Sequence, residues 1–298
     1  MNLAVNFAGV ELKNPVMNAS GTFGSGQEYA ELTDLNRLGA VVTKGVAATP
    51  WEGNPTPRVT EVYGGMLNAI GLQNPGVDVF IERDLAFLAG YDTRVIVNVC
   101  GHTVEEYCEV VEKLNGTSAD MYEINVSCPN VKAGALAFGQ DAKVLEQTTK
   151  AIKAVAAKPV IMKLSPNVTS IREMALAAEA GGADAISLIN TLIGMKIDIE
   201  RRRFVLANKT GGFSGPAVKP VAVRMVYEAS HAVKIPVIGM GGIATAEDAV
   251  EFLLAGAKAV AVGTMNFVEP RTMEKVVEGI EAYMERQGMK DISEIRMD

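Results

Sequence analysis

Histidine and cysteine are both scarce in this chain, with two of the first and three of the second among 298 residues. Cys100, Cys108 and Cys128 form an odd, thin set that supports no disulfide framework and fits a reducing cytosol. They also exclude an iron–sulfur cluster ligated by four thiolates of this chain. His102 and His231 stand in no ligand-spaced cluster, so no metal centre is expected. A hydrolase built on imidazole is equally poorly served: His231 falls in an expected helix and His102 has no matched acid. Positive charge is thin as well. The net charge is -7 and only Arg201-Arg202-Arg203 clusters, which excludes the footprint that nucleic-acid backbones require. No stretch approaches ~18 uninterrupted apolar residues, and Met1 to Asn6 shows no basic region leading into an apolar run. A cytoplasmic protein off the membrane is expected. No linker, low-complexity tract or composition shift divides the chain, so residues 1–298 are expected to form a single domain.

What is present is a repeating alternation. The 48% hydrophobic content suits one large barrel or two ordinary domains. From about residue 15, short apolar runs alternate with segments of helical period, the pattern of successive βα units. Eight strands are expected: Val16–Ala19, Ala40–Thr43, Val95–Val99, Met121–Val126, Val160–Leu164, Ala185–Ile189, Ile235–Ile238 and Ala259–Val262. Between them the spacing predicts helices over Val104–Leu114, Ala142–Ala156, Ile171–Ala180, Val218–Ala232 and Thr245–Leu254. The fold class is therefore α/β, a (β/α)8 TIM barrel. Ahead of it, L-A-V-N-F-A-G-V-E-L alternates around Ala8-Gly9, a β-hairpin suited to plugging the barrel's bottom. The stretch from Ala47 to Asp92 is longer than one crossover needs, so an insertion is expected there, at the C-terminal mouth or as a surface excursion.

In such barrels chemistry sits where the strands end. Strand one ends in Asn18-Ala19-Ser20-Gly21, two in Lys44-Gly45, three in Asn98, four in Asn125 and five in Lys163. Six ends in Asn190-Thr191, seven in Gly241-Gly242 and eight in Gly263-Thr264. Any one of these alone reads as a cap or turn residue; together at one rim they read as a site. Loops after strands seven and eight often hold a phosphate on backbone N–H groups, and Gly241, Gly242 and Gly263 permit close approach, with the Thr264 hydroxyl beside them. The run Gly239 to Ala244 also satisfies G-x-G-x-x-A, but the acidic residue of a dinucleotide fold is missing from the following A-V-A-V-G-T-M-N-F-V.

Cys128 lies in N-V-S-C-P-N just beyond strand four, where Pro129 and polar Ser127 and Asn130 argue against burial in a helix or strand. A thiol near lysines is a credible proton acceptor at a carbon acid. Cys100 and Cys108 read instead as small buried hydrophobes.

Read together, these groups resemble the class 1 dihydroorotate dehydrogenases over essentially the whole chain. The likeness rests on N-A-S-G-T at 18 to 22, T-K-G at 43 to 45, N-A-I-G-L-Q-N at 68 to 74, V-N-V at 97 to 99 and N-V-S-C-P-N at 125 to 130. It continues in I-M-K-L-S-P-N at 161 to 167, I-N-T at 189 to 191, G-G-F-S-G-P at 211 to 216, G-M-G-G-I at 239 to 243 and V-G-T at 262 to 264. The resemblance implies one FMN across the barrel mouth, contacted by Ser20, Lys44, Gly45, Asn98, Asn125, Lys163, Ile189 and Gly215, its phosphate on Gly241, Gly242, Gly263 and Thr264. It implies a substrate shell of Lys44, Asn68, Ala69, Ile70, Gly71, Leu72, Asn125, Asn190 and Thr191, joined by Asn130. Cys128 and Lys44 are the implied catalytic residues: Cys128 removes the C5 proton of dihydroorotate, hydride passes from C6 to the flavin, and Lys163 stabilises charge at the flavin's N1/O2 edge.

The membrane-associated class carries Ser where this chain has Cys128, together with an N-terminal extension not seen here, which favours class 1. F-G-S-G-Q-E-Y and the overall run resemble the NAD-linked class 1B more than the fumarate-linked class 1A. Class 1B implies a homodimer flanked by two electron-transfer subunits carrying FAD and a 2Fe-2S cluster, a heterotetramer acting in pyrimidine (UMP) biosynthesis. A dihydropyrimidine dehydrogenase-like subunit and a non-catalytic phosphate-binding barrel are the competing readings.

Overall fold

In the computed structural model the described residues are 1–126 and 138–297. The chain opens with a hairpin of β1 (Val5–Phe7) and β2 (Val10–Leu12). Ala8 and Gly9 turn it with φ of 51° and 87°, as a two-residue turn matched to strand twist requires. Val5, Phe7 and Leu12 face inward and join the main core.

The barrel begins with β3 (Val16–Asn18) and β4 (Ala40–Val42). The chain then leaves it for a second hairpin, β5 (Val59–Val62) and β6 (Gly65–Asn68). It returns with β7 (Arg94–Val99), β8 (Met121–Asn125), β9 (Val160–Lys163) and β10 (Ala185–Leu188). A second excursion carries β11 (Leu192–Met195), β12 (Ile197–Asp198), β13 (Arg203–Phe204) and β14 (Thr210–Ser214). Then β15 (Val237–Met240) and β16 (Ala259–Val262) complete the circuit. Eight strands close in the order β10-β15-β16-β3-β4-β7-β8-β9, all parallel, with β9 pairing β10. Strands covered on both faces need near-continuous apolar runs, and here every residue of β8, β9, β10, β15 and β16 is buried.

The helices expected over Val104–Leu114 and Ile171–Ala180 have those bounds. The others are Ala142–Val155, Lys219–Ser230 and Ala246–Leu254, each within a few residues of expectation. Their starts are chemically fixed. Thr103, Asp141 and Ser170 each accept a first-turn amide, and Thr245 forms a reciprocal box with Asp248. One feature departs from the expected alternation: the β3–β4 connection holds only a one-turn 3-10 helix, Leu35–Arg37. A sixth long helix, Thr272–Gln287, follows β16, as the eighth βα unit requires.

The insertion predicted between Ala47 and Asp92 is structured. Its hairpin joins the second excursion in one antiparallel sheet of order β11-β14-β6-β5, with Asn68 opposite Gly212 and Leu67 opposite Phe213. Gly65 allows this pairing, since a Cβ there would lie 2.0 Å from the Ser214 carbonyl oxygen. The sheet therefore stands over the C-terminal ends of the barrel strands, where its residues share cavity walls with them. Among the described residues no helix is long and apolar enough to cross a membrane.

Candidate active site

Two cavities open at the mouth. The larger, about 690 Å3, is within the range of cofactor pockets and takes its wall from the ends of all eight barrel strands. Ser20, Lys44, Gly45 and Asn98 lie on one side of the strand order, and Asn125, Lys163 and Ile189 follow. Gly241, Gly242, Gly263 and Thr264 line it too, with Gly215 from the end of the second excursion. The smaller, about 260 Å3, is walled by Asn68, Ala69, Ile70, Gly71 and Leu72 from the insertion and by Lys44, Asn125, Asn190 and Thr191 from the barrel. The residues singled out from the sequence as cofactor-contacting line the larger cavity, and those singled out as substrate-contacting, Asn130 aside, line the smaller one. Lys44, Asn68, Ile70, Leu72, Asn125, Asn190 and Thr191 belong to both.

Cys128 and Asn130 lie outside the described residues. Val126 and Gly139, either side of that segment, line the smaller cavity, and a Cβ on Gly139 would lie 2.7 Å from the Val126 carbonyl oxygen.

Polar side chains at the mouth are held by named partners. Lys163 Nζ donates to Ser20 Oγ at 2.9 Å and lies 3.6 Å from Glu123 Oε2. Asn190 Nδ2 donates to Asn125 Oδ1 at 3.2 Å, and Asn190 Oδ1 accepts the Thr191 amide at 2.8 Å. The Tyr107 hydroxyl, reaching in from the helix Val104–Leu114, donates to the Asn125 carbonyl at 2.8 Å. Burial pushes the Lys44 ammonium below its ordinary range; nearby Cys100 pulls it back up, while Arg58 and Lys163 press it further down. A lysine so placed gains from any anionic group brought beside it.

Backbone shape supplies the remaining features. Gly215, Gly241 and Gly242 have φ of 116°, 123° and 81°, where side chains are strained. A Cβ on Gly263 would meet nothing nearer than Ala19 Cβ at 3.6 Å, so the missing side chain leaves open room there. Thr264 Oγ1 donates to Ser214 Oγ at 2.8 Å. Among the described residues the Oδ1 atoms of Asn98 and Asn266 are buried without a hydrogen-bond partner. Asn98 lines the larger cavity, so a donor on a ligand there would satisfy it.

Some expectations need adjustment. Asn18, read as a strand-end polar group, is a brace: its Nδ2 donates to the Val42 carbonyl at 2.6 Å and its Oδ1 accepts the Val42 amide at 2.9 Å. Cys100 is fully buried as expected, but Cys108 is only half-buried on its amphipathic helix. Sequence reasoning also missed Asn54, Ser165 and Asn167, which line the smaller cavity, and Glu123 and Ser187 beneath the larger one. The signal for Glu123 was available, because a carboxylate inside M-Y-E-I-N interrupts a strand that must be buried on both faces.

A closed parallel barrel with a roomy, glycine-cradled cavity at its C-terminal mouth defines the class: a (β/α)8-barrel enzyme whose site is built from strand ends. A family model described as dihydroorotate dehydrogenase matches residues 2–284. The chain belongs to that family. It is 64% identical over 296 residues to the dihydroorotate dehydrogenase B (NAD(+)) catalytic subunit of Alkaliphilus metalliredigens, covering 99% of this chain and 98% of the relative. Identically named proteins of Lachnoclostridium phytofermentans and Thermoanaerobacter pseudethanolicus are 65% and 57% identical over 295 residues, each with 99% of this chain and 98% of the relative covered.

Proposed function

We propose that this chain is the FMN-bearing catalytic subunit of an NAD-linked dihydroorotate dehydrogenase, oxidising dihydroorotate to orotate in pyrimidine biosynthesis. The observation that carries the reading is the pair of adjoining cavities. One has the volume for a flavin mononucleotide, the other is small and rich in amides, and Lys44 lies in the wall of both. The orphaned Asn98 Oδ1 and the room left at Gly263 support a fit to FMN, the first as an acceptor for a ring donor and the second as part of a phosphate cradle. When bound, FMN supplies the hydride acceptor.

The chain's own residues do the rest. Gly241, Gly242, Gly263 and Thr264 hold the phosphate, and Ser20, Gly45, Ile189 and Gly215 shape the wall around the ring. Lys163, fixed by Ser20, offers positive charge to the ring. Asn68, Asn125, Asn190 and Thr191 present the donors and acceptors that a pyrimidine ring requires, with the Ala69 to Leu72 backbone beside them and Asn130 joining from the neighbouring segment. Lys44 attracts the substrate's carboxylate, which offsets the cost of burying its ammonium. Cys128 takes the proton from C5.

The relatives' names, which specify NAD(+) and a catalytic subunit, support class 1B over the fumarate-linked branch. We infer a homodimer of this chain flanked by two subunits carrying FAD and a 2Fe-2S cluster, working in the cytoplasm.

The test is spectroscopic. Anaerobic addition of dihydroorotate should bleach the visible band of a stoichiometric FMN, and dihydrouracil should not. The chain should co-purify at native expression with a second protein showing FAD and iron–sulfur absorbance, and that complex alone should reduce NAD. Bleaching by dihydrouracil would reassign the substrate to the dihydropyrimidine class.

A further inference from the structure

Beneath the larger cavity lies a carboxylate that no step of the proposed reaction uses. Glu123 occupies the middle of β8, two residues before Asn125, and therefore shares its face of the strand one layer deeper in the barrel. It is 1% exposed. Its Oε1 accepts from Ser187 Oγ on β10 at 2.8 Å, and its Oε2 accepts from Asn98 Nδ2 on β7 at 2.6 Å. Lys163 Nζ on β9 stands 3.6 Å from the same Oε2. Strand register brings the groups together: Asn98 is opposite Glu123, and Ser187 is opposite Lys163. Four consecutive strands thus each give one polar side chain to a zone that barrels of this kind usually fill with Val, Ile and Leu.

Each of these neighbours faces the carboxylate with a donor or an ammonium. Asn98 is also oriented: with Nδ2 committed to Glu123, its unpartnered Oδ1 is the end left for a ligand. Neither Glu123 nor Ser187 lines the cavity, whereas Lys163 and Asn98 both do.

We propose that Glu123 is a positioning residue for the flavin site. It pins the Lys163 ammonium and the Asn98 carboxamide under the ring and offsets the lysine's charge, keeping the flavin's reduction potential below the value an uncompensated lysine would set. The inference rests on the reading that FMN occupies the larger cavity. A positive charge beside a flavin favours the reduced, anionic ring, and an opposite charge held against that lysine cancels part of its field.

The experiment compares midpoint potentials of FMN-loaded wild type, Glu123→Gln and Glu123→Asp by dye-equilibrated reduction at one pH. Glu123→Gln keeps the shape and removes the charge. It should move the oxidised-to-reduced equilibrium at least tenfold towards the reduced form, which is about 30 mV for a two-electron couple. Glu123→Asp, which restores the charge, should return to within threefold of wild type. A Gln variant within threefold of wild type, or Gln and Asp variants shifted alike, overturns the proposal. Should Glu123→Gln fail to retain FMN, Ser187→Ala decides: with one donor fewer holding the carboxylate against Lys163, the equilibrium should move at least threefold in the same direction, and no movement rejects the idea. A wild-type chain that takes up no FMN rejects the functional reading and this inference together. A loaded wild type with unmoved variants rejects the inference alone.

Discussion

At the scale of single residues, the site divides between groups that advertise themselves and groups that do not. Lys44, Asn98, Asn125 and Lys163 are polar residues that close apolar runs, and each lines the cavity at the barrel's mouth. Glu123 and Ser187 lie within strands, and their partnership depends on which strands close against each other across the barrel. Asn18 shows the converse, since its position predicts a rim group while its side chain is spent joining β3 to β4. Cys128 carries the sharpest residue-level expectation. Replacing it with Ala should leave FMN content unchanged if, as proposed, the thiol acts on substrate. Turnover should fall by roughly 100-fold or more, the usual worth of a positioned base. Stopped-flow flavin reduction measures this directly, and a wild-type rate near neutral pH would remove the thiol from the mechanism.

At the scale of elements, expectation and structure agree best where a strand or helix carries its own boundary chemistry. Thr103 and Ser170 accept amides at the helix starts, and both helices have their expected bounds. Agreement fails where partners are distant in the chain. Nothing local in G-G-M-L-N says that Asn68 will pair with Gly212, so the four-stranded sheet over the mouth was foreseen only as an insertion. The turn after β15 belongs to this scale because its shape is imposed by the helix it faces. A Cβ on Gly242 would lie 2.8 Å from Lys219 Cβ and 2.9 Å from the Lys219 amide nitrogen, at a φ of 81°. Gly242→Ala should cost about 1–3 kcal/mol in local strain. The turn should relax away from the form proposed to hold the phosphate. We expect the flavin-to-protein ratio after gel filtration to fall well below that of wild type, and full stoichiometry would place the phosphate elsewhere.

At the scale of the whole molecule, the last helix is fastened to the connection between β3 and β4 chiefly through the buried carboxylate of Glu274, with the exposed Glu278 adding a second pair to Arg37 at 2.9 Å. Glu274, 3% exposed, accepts from Thr33 Oγ1 at 2.7 Å, the Asp34 amide at 3.2 Å, Arg37 Nη1 at 2.9 Å and Arg271 Nη2 at 3.2 Å. Burial alone would raise its pKa, but the Thr33, Arg271 and Asp34 hydrogen bonds with the Arg271 charge outweigh that and hold it at about 2, against an ordinary 4.5. A carboxyl held low when folded contributes stability in full above its unfolded pKa and loses it as pH falls through 4.5 towards about 2. Glu274→Gln should therefore cost on the order of 3 kcal/mol near neutrality and flatten the acid limb of a stability-versus-pH curve. Urea titrations between about pH 5 and pH 2 check both. The shared wall between the two chambers reaches further still. Because Lys44 borders both, a ligand that engages its charge from one side alters what the other side offers, and thermodynamic linkage makes the effect reciprocal. Whatever factor the pyrimidine imposes on flavin retention, the flavin must impose on the pyrimidine, so that a substitution altering one of these factors must alter the other by the same amount.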